Sequence, residues 1–393
     1  MISSAITPKG KMNEPVERQA APQGRLYSLD LLRGLDIFFL TVFCGIAWAA
    51  HEGLGLFPVP AGTPAGCFGP VMEQLAHRWG RFHLIDIVMP MFIYMCGAAI
   101  PFALGRRLKA GRPTAAFWRH VGARFALLWF CGLVAQGNLL SLEPSKIRVF
   151  DNTLQTIACG YVIAALTMLI RRRWVRWLVP AALALVYTVP LAAYGDYTPN
   201  GNLAHLVERW IVDSLCVPLG FSSKLTDYTW FATIPMFGVM TLLGMISTEI
   251  LTDRAATGKA KALRLGALGA GTLALGWAAY PFIPSIKHIF TLTFTAQAMG
   301  WCMLSLALLY YVTDVLGFRR GLGLFILFGQ FALTAYMLVD TPLVAITAKA
   351  TETFTQGFAH LFGEGRAVFL ASIVQGALVT FALIVRRRLK ARK

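Results

Sequence analysis

Five ionisable residues, His77, Arg78, Arg81, His83 and Asp86, crowd a short stretch that runs straight into the apolar segment VMPMFIYMCGAAIPFAL. Asp86 stands between Ile85 and Ile87 at the mouth of that segment and needs a partner; the two histidines and two arginines are the nearest in sequence. An imidazole hydrogen-bonded to a carboxylate has its tautomer fixed and its basicity raised, which is the arrangement wanted in a general base or a nucleophilic histidine. A plainer reading also fits the spacing: a helix start, with Asp86 near the positive end of the helix dipole. As a metal site, His77, His83 and Asp86 lack a completing carboxylate or cysteine, so no metal is expected.

Other polar groups stand where apolar segments begin. IPSIKHIFTLTFT at 283–295 supplies Lys287 and His288 at a Pro-punctuated entry, and Lys287 is placed to orient an acidic or hydroxylated ligand. IRVFDNTLQTIACGY at 147–161 carries Asp151, Asn152 and Gln155; Asn152 and Gln155 share a helix face and are placed to line a cavity, or Asn152 is an N-cap. SLDLLRGLD at 28–36 puts Asp30 and Arg33 three residues apart on one face, either as an interfacial ion pair or with Arg33 turned to the bundle to receive a phosphate-bearing ligand. Arg124, inside a later apolar segment, is placed to act with it. An ionisable group within a span is costly to insert, so each is a functional candidate.

The elements that must position these groups are membrane helices. The chain of 393 residues is 56% hydrophobic and 14% charged, and it returns repeatedly to apolar runs of about 20 residues, the length of a membrane-crossing helix. The strict alternation of a transmembrane barrel is missing from these runs. Spans are expected near 29–50, 84–105, 119–140, 154–170, 177–194, 230–250, 264–283, 289–313, 322–340 and 367–385. This predicts an all-α polytopic protein with about ten transmembrane helices. Residues 1–24 form a tail with no apolar core, so no cleavable signal is expected there, and 25–393 form one transmembrane domain.

The net charge of +17 is a topology signal. Of the 36 Lys and Arg residues, 25 fall in the N-terminus, the even-numbered loops and the C-terminus, nine in the odd loops, and Arg33 and Arg124 within spans. By the positive-inside rule both termini are cytoplasmic and the His77 loop faces out. No nucleic-acid partner is needed to explain the basic excess; the partner implied is the bilayer. Leu203, Leu206, Val207, Trp210, Ile211 and Leu215 recur at helical spacing in the long loop 195–229, predicting a helix on the outer interface. The seven cysteines show no CxxC pair or metal-ligand spacing and read as small core hydrophobes, with Cys67 and Cys216 on the outer side where they can pair. No HExxH, P-loop, GxSxG or dinucleotide fingerprint appears.

Taken in order, RLYSLDLLRGLDIFF, HRW followed by GRFHLIDIVMPMFIYMCGAAIPFAL, NTLQTIACGY, PSIKHIFTLTF and FGQFALTAYML resemble the successive motifs of the heparan-alpha-glucosaminide N-acetyltransferase family and its bacterial relatives. The resemblance runs from about residue 25 to the C-terminus. It implies a membrane acetyltransferase that takes acetyl from acetyl-CoA on the cytoplasmic side and delivers it to the amino group of glucosamine across the membrane. His77 corresponds to the family's acetyl-accepting histidine, with one residue before Trp79 where two are usual, so transfer by His77 or by His83 stays open. Phe290–Thr291 replaces a Trp–Thr pair, and Phe331 stands where Asn is expected.

On this resemblance His77 and Asp86 are catalytic, Arg33, Arg124, Asn152 and Gln155 bind the acyl donor or its carbonyl, and His83 and Lys287 bind the acceptor. The implied setting is a bacterial inner (plasma) membrane, with an amino-sugar substrate and room for a homodimer. Two alternatives remain open: a permease that uses the same groups to bind a solute, and an O-acyltransferase acting on envelope glycans. Duplicated halves and paired broken helices, the usual marks of alternating access, are not seen in the sequence.

Overall fold

Long runs of Leu, Ile, Phe, Val and Ala force the backbone to satisfy itself internally in hydrocarbon, and a helix does so within one segment. The computed structural model describes residues 26–60, 63, 67–108, 113–137, 139, 142–339 and 341–391, and within these all regular structure is helical. The expected tail, 1–24, lies outside the described residues. Among the described residues, seven helices are long and apolar enough to cross a membrane. In the numbering used from here they are α1 (Tyr27–Leu54), α2 (Leu84–Leu104), α5 (Arg173–Tyr194), α7 (Ile234–Leu251), α8 (Gly258–Ala279), α9 (Leu292–Val315) and α13 (Glu364–Ala391).

Three expected spans take other forms. The segment 119–140 becomes α3 (Ala115–Ala135), a helix carrying Arg119, His120 and Arg124. The segment 154–170 becomes α4 (Thr153–Thr167), of 15 residues. The segment 322–340 is broken at Phe331 into α10 (Gly323–Gln330) and α11 (Ala332–Val339). The longer helices in the long loops are α6 (Leu203–Ile211) and α12 (Val344–Thr355), beside short ones at Pro70–Glu73 and Phe358–Phe362.

The expected loop helix α6 forms, starting at Asn202, whose side chain accepts the His205 N–H at 2.8 Å. Two of its polar residues turn inward: His205 and Glu208 are buried, while Leu206, Val207 and Trp210 are exposed together with Arg209. Glu208 accepts the Ala232 N–H at 3.1 Å, and burial pushes its carboxyl up to about 7. A helix with apolar residues outward and a carboxyl inward is suited to lipid on its outer face.

Small residues set the closest packing. A Cβ on Gly97 of α2 would sit 1.8 Å from the Thr241 carbonyl oxygen, and one on Gly244 of α7 would sit 1.9 Å from that of Tyr94. With backbones this close, Thr248 Oγ1 donates to the Ala98 carbonyl at 2.7 Å and Tyr94 Oη to Ser247 Oγ at 2.8 Å. This is the small-residue contact that lets membrane helices gain dispersion and hydrogen bonds without a hydrophobic drive. The start of α1 is held in a different way: Asp314, at the end of α9, accepts the N–H groups of Tyr27 and Ser28 at 3.2 and 3.0 Å. All seven cysteines are free thiols, Cys67 and Cys216 included.

Candidate active site

The start of α2, the loop between α8 and α9 and the residues leading into α7 meet at one end of the bundle. Asp86 lies in the first turn of α2, where its Oδ2 accepts the His83 N–H at 2.9 Å. A carboxylate in that position is favoured by the unpaired N–H groups and the dipole of the helix start. Its other oxygen, Oδ1, lies 2.7 Å from His77 Nδ1 and 3.4 Å from Lys287 Nζ. Lys287 Nζ is also 3.2 Å from Nδ1 and 3.4 Å from Nε2 of His77. Three of the expected residues, 210 positions apart at the extremes, therefore share one cluster.

Burial separates their roles. The side chains of Asp86 and Lys287 are 1% and 5% exposed, whereas that of His77 is 44% exposed. Burial pushes the Lys287 ammonium down to about 8, with the Asp86 carboxylate opposing the fall. At neutral pH the lysine therefore holds a positive charge beneath an imidazole that is open on its outer side. With Nδ1–H donated to Asp86, Nε2 carries the lone pair, the tautomer suited to attack or proton abstraction.

The surroundings hold these groups in place. His83 is buried with Nδ1 2.9 Å from the Ala76 carbonyl oxygen, so it braces the loop that carries His77. Arg78 grips Glu73 through two contacts, Nε to Oε1 at 2.8 Å and a terminal nitrogen to Oε2 at 3.2 Å, and Arg78 thereby holds the Glu73 carboxyl below its usual range. In the loop that bears Lys287, Thr291 Oγ1 accepts the Ile286 N–H at 3.0 Å and donates to the Pro284 carbonyl at 2.9 Å. Phe290 in that loop takes φ +44°, a conformation uncommon outside glycine, and is wholly buried against Phe237 and Phe294. Tyr187 donates its hydroxyl to the Ile289 carbonyl.

His288 is the main element of the site outside the expected set. Its ring stacks between Trp79 (centroids 5.1 Å, planes at 25°) and Tyr228 (4.6 Å, 34°), which ties the His77 loop to the Lys287 loop. Burial and then the neighbouring Lys287 cation hold its imidazole below the usual range, and its Nδ1 is buried without a partner. Trp79 Nε1 donates to the Tyr197 carbonyl at 3.1 Å. The adjacency of His288 to Lys287 is visible in the sequence; its aromatic sandwich, built from three distant segments, is not.

The remaining expected residues lie elsewhere. Asn152 is the N-cap of α4, accepting the Leu154 N–H at 2.8 Å. Gln155 is fully buried, accepts the Asp151 N–H at 2.9 Å and donates to the Val149 carbonyl at 2.8 Å, so both of its polar atoms serve the local backbone. Arg33 pairs with Asp30 at 3.8 Å near the start of α1, and Arg124 lies over the Tyr161 ring, 5.4 Å from its centroid. Arg33 lies six residues into α1 and Arg124 nine residues into α3, both on helices that begin at the end of the bundle away from His77. No protein-family model matches the chain, and neither does any curated protein.

Proposed function

We propose that the chain is a membrane acyltransferase that moves acetyl from cytoplasmic acetyl-CoA to the amino group of glucosamine, or of a glucosamine-containing sugar, on the outer side. The observation that carries this reading is the half-open His77 imidazole, bonded at 2.7 Å to a buried carboxylate and lying 3.2 Å from a buried ammonium. The order and content of the sequence motifs support the same reading.

In the covalent route, Nε2 of His77 bonds to the thioester carbonyl carbon, the C–S bond breaks and the CoA thiolate departs. The sugar amine then attacks the acetyl-imidazole, the new C–N bond forms, the imidazole leaves and the amine's proton passes to it. In the direct route the amine attacks the thioester carbonyl carbon while His77 takes its proton, the C–N bond forms, the C–S bond breaks and the CoA thiolate departs, to be protonated by the imidazolium or solvent. Either way the carbonyl oxygen gains negative charge, which the Lys287 ammonium stabilises, while Asp86 fixes the imidazole. Arg33 and Arg124, towards the cytoplasmic end, receive the CoA phosphates. Ten crossings with both termini in the cytoplasm of a bacterial cell put the His77 loop outside. A homodimer is compatible with this arrangement.

The test uses membranes containing the protein, labelled acetyl-CoA and glucosamine. Labelled N-acetylglucosamine is the expected product, and its loss on His77→Ala at equal protein abundance assigns the role. An ester product from hydroxylated glycans would move the acceptor to the O-acyl class. The absence of any acetylated product would remove the enzyme reading in favour of solute transport.

A further inference from the structure

A cleft of about 760 Å³ runs between α1, α2, α9 and α10, well inside the size range of sites for drug-sized molecules, roughly 300–1,000 Å³. Its walls are aromatic: Phe38, Phe39, Phe43, Phe82, Trp301 and Phe325. Four lining residues, Phe43, Leu84, Trp301 and Leu308, are exposed apolar side chains. On spanning helices such side chains face hydrocarbon, so the cleft opens sideways to the bilayer.

Asp36 also lines this cleft. It is only 5% exposed, and its Oδ2 is buried without a hydrogen-bond partner. It sits nine residues beyond the start of α1, about 14 Å along the axis at ~1.5 Å per residue and one turn deeper than Arg33, and so inside the span rather than at its end. A carboxyl at that depth is expensive to insert, and its retention calls for a partner. Ser305 on α9 lines the same cleft.

From these features we infer a second binding site, for lipophilic amines: molecules with an apolar body and one ammonium group, which enter from the bilayer and place an N–H on Asp36. A plain hydrocarbon tail would fill the cleft but leave Oδ2 unpaired. An anionic amphiphile brings no cation to balance a carboxylate at this depth. An ammonium supplies the missing donor and the opposite charge, and aromatic faces attract it further. The site does not depend on acyl transfer at His77, although its outer end reaches His83 and Gln74 at the edge of that cluster.

The test is equilibrium binding of tritiated desipramine, a tricyclic secondary amine, to the full-length protein in nanodiscs, measured against protein-free discs. Saturable excess binding is expected, weakened at least tenfold by Asp36→Asn, with the uncharged N-acetyl derivative failing to compete. Leu308→Trp, which narrows the mouth from the lipid-exposed face, is expected to weaken binding as well. No excess over empty discs, or an unchanged Kd for Asp36→Asn, overturns the site. Should Asp36→Asn fail to fold, Leu308→Trp decides, and an unchanged Kd for it overturns the site equally.

Discussion

At His77 the structure sets one exposed imidazole over two buried opposite charges, and its chemistry follows from that contrast in burial. Replacing His77 with Ala or Gln is expected to lower acetyl transfer by about 10²–10⁴-fold, the usual contribution of a positioned base. His83→Ala is expected to cost much less, because His83 acts through the Ala76 carbonyl. A comparison of initial rates at equal membrane abundance separates the two, and a larger loss for His83→Ala would reverse their roles. Lys287 gives a pH signature. In the proposed transfer its ammonium form is the active one, and with its pKa pushed down to about 8 the rate is expected to fall as pH rises through about 8. Lys287→Arg moves that limb to higher pH and Lys287→Met removes it; a wild-type profile flat from pH 7 to 9 would contradict the role. Much of this cluster is legible in the chain: Asp86 at a helix mouth announces its need for a partner, and His77 lies close in sequence. The link to Lys287 is not, since only the packing of α2 beside α9 brings residues 210 positions apart together.

At the scale of elements, α2 positions Asp86, and α2 is fixed by its backbone contact with α7. A Cβ at Gly97 would come within 1.8 Å of the Thr241 carbonyl oxygen, whereas one at Gly45 on α1 meets nothing within 4 Å. Gly97→Val is therefore expected to destabilise by at least about 1–3 kcal/mol, as overpacking does, and Gly45→Ala to be neutral or slightly stabilising. Melting curves of the purified protein in one detergent test this, and equal Tm values for Gly97→Val and wild type would contradict it. Apolar run length makes the long helices readable. It does not reveal the break at Phe331, which has no proline to mark it, or the shortness of α4, whose capping by Asn152 looks in sequence much like a polar pair lining a cavity. Periodicity likewise reveals α6 but not which face turns inward, because lipid reverses the usual rule for a loop helix.

Across the whole molecule, the proposed ten-span topology puts 25 of the 36 basic residues on one side, and that asymmetry would orient the proposed chemistry. In intact cells, a cysteine at position 349 is expected to react with a membrane-impermeant thiol reagent, above the background of the native cysteines. One at position 388 is expected to react only after permeabilisation, and the opposite pattern would invert the topology. The most direct test of the central claim joins sidedness to chemistry. Sealed inside-out vesicles carrying wild-type or His77→Ala protein, loaded with glucosamine and given labelled acetyl-CoA outside, present each substrate on its proposed side. Labelled N-acetylglucosamine accumulating inside wild-type vesicles, and absent from His77→Ala vesicles with equal protein, is the predicted result. Wild-type vesicles that form no acetylated sugar, or His77→Ala vesicles that form it at the wild-type rate, would contradict a His77-centred transfer across the membrane.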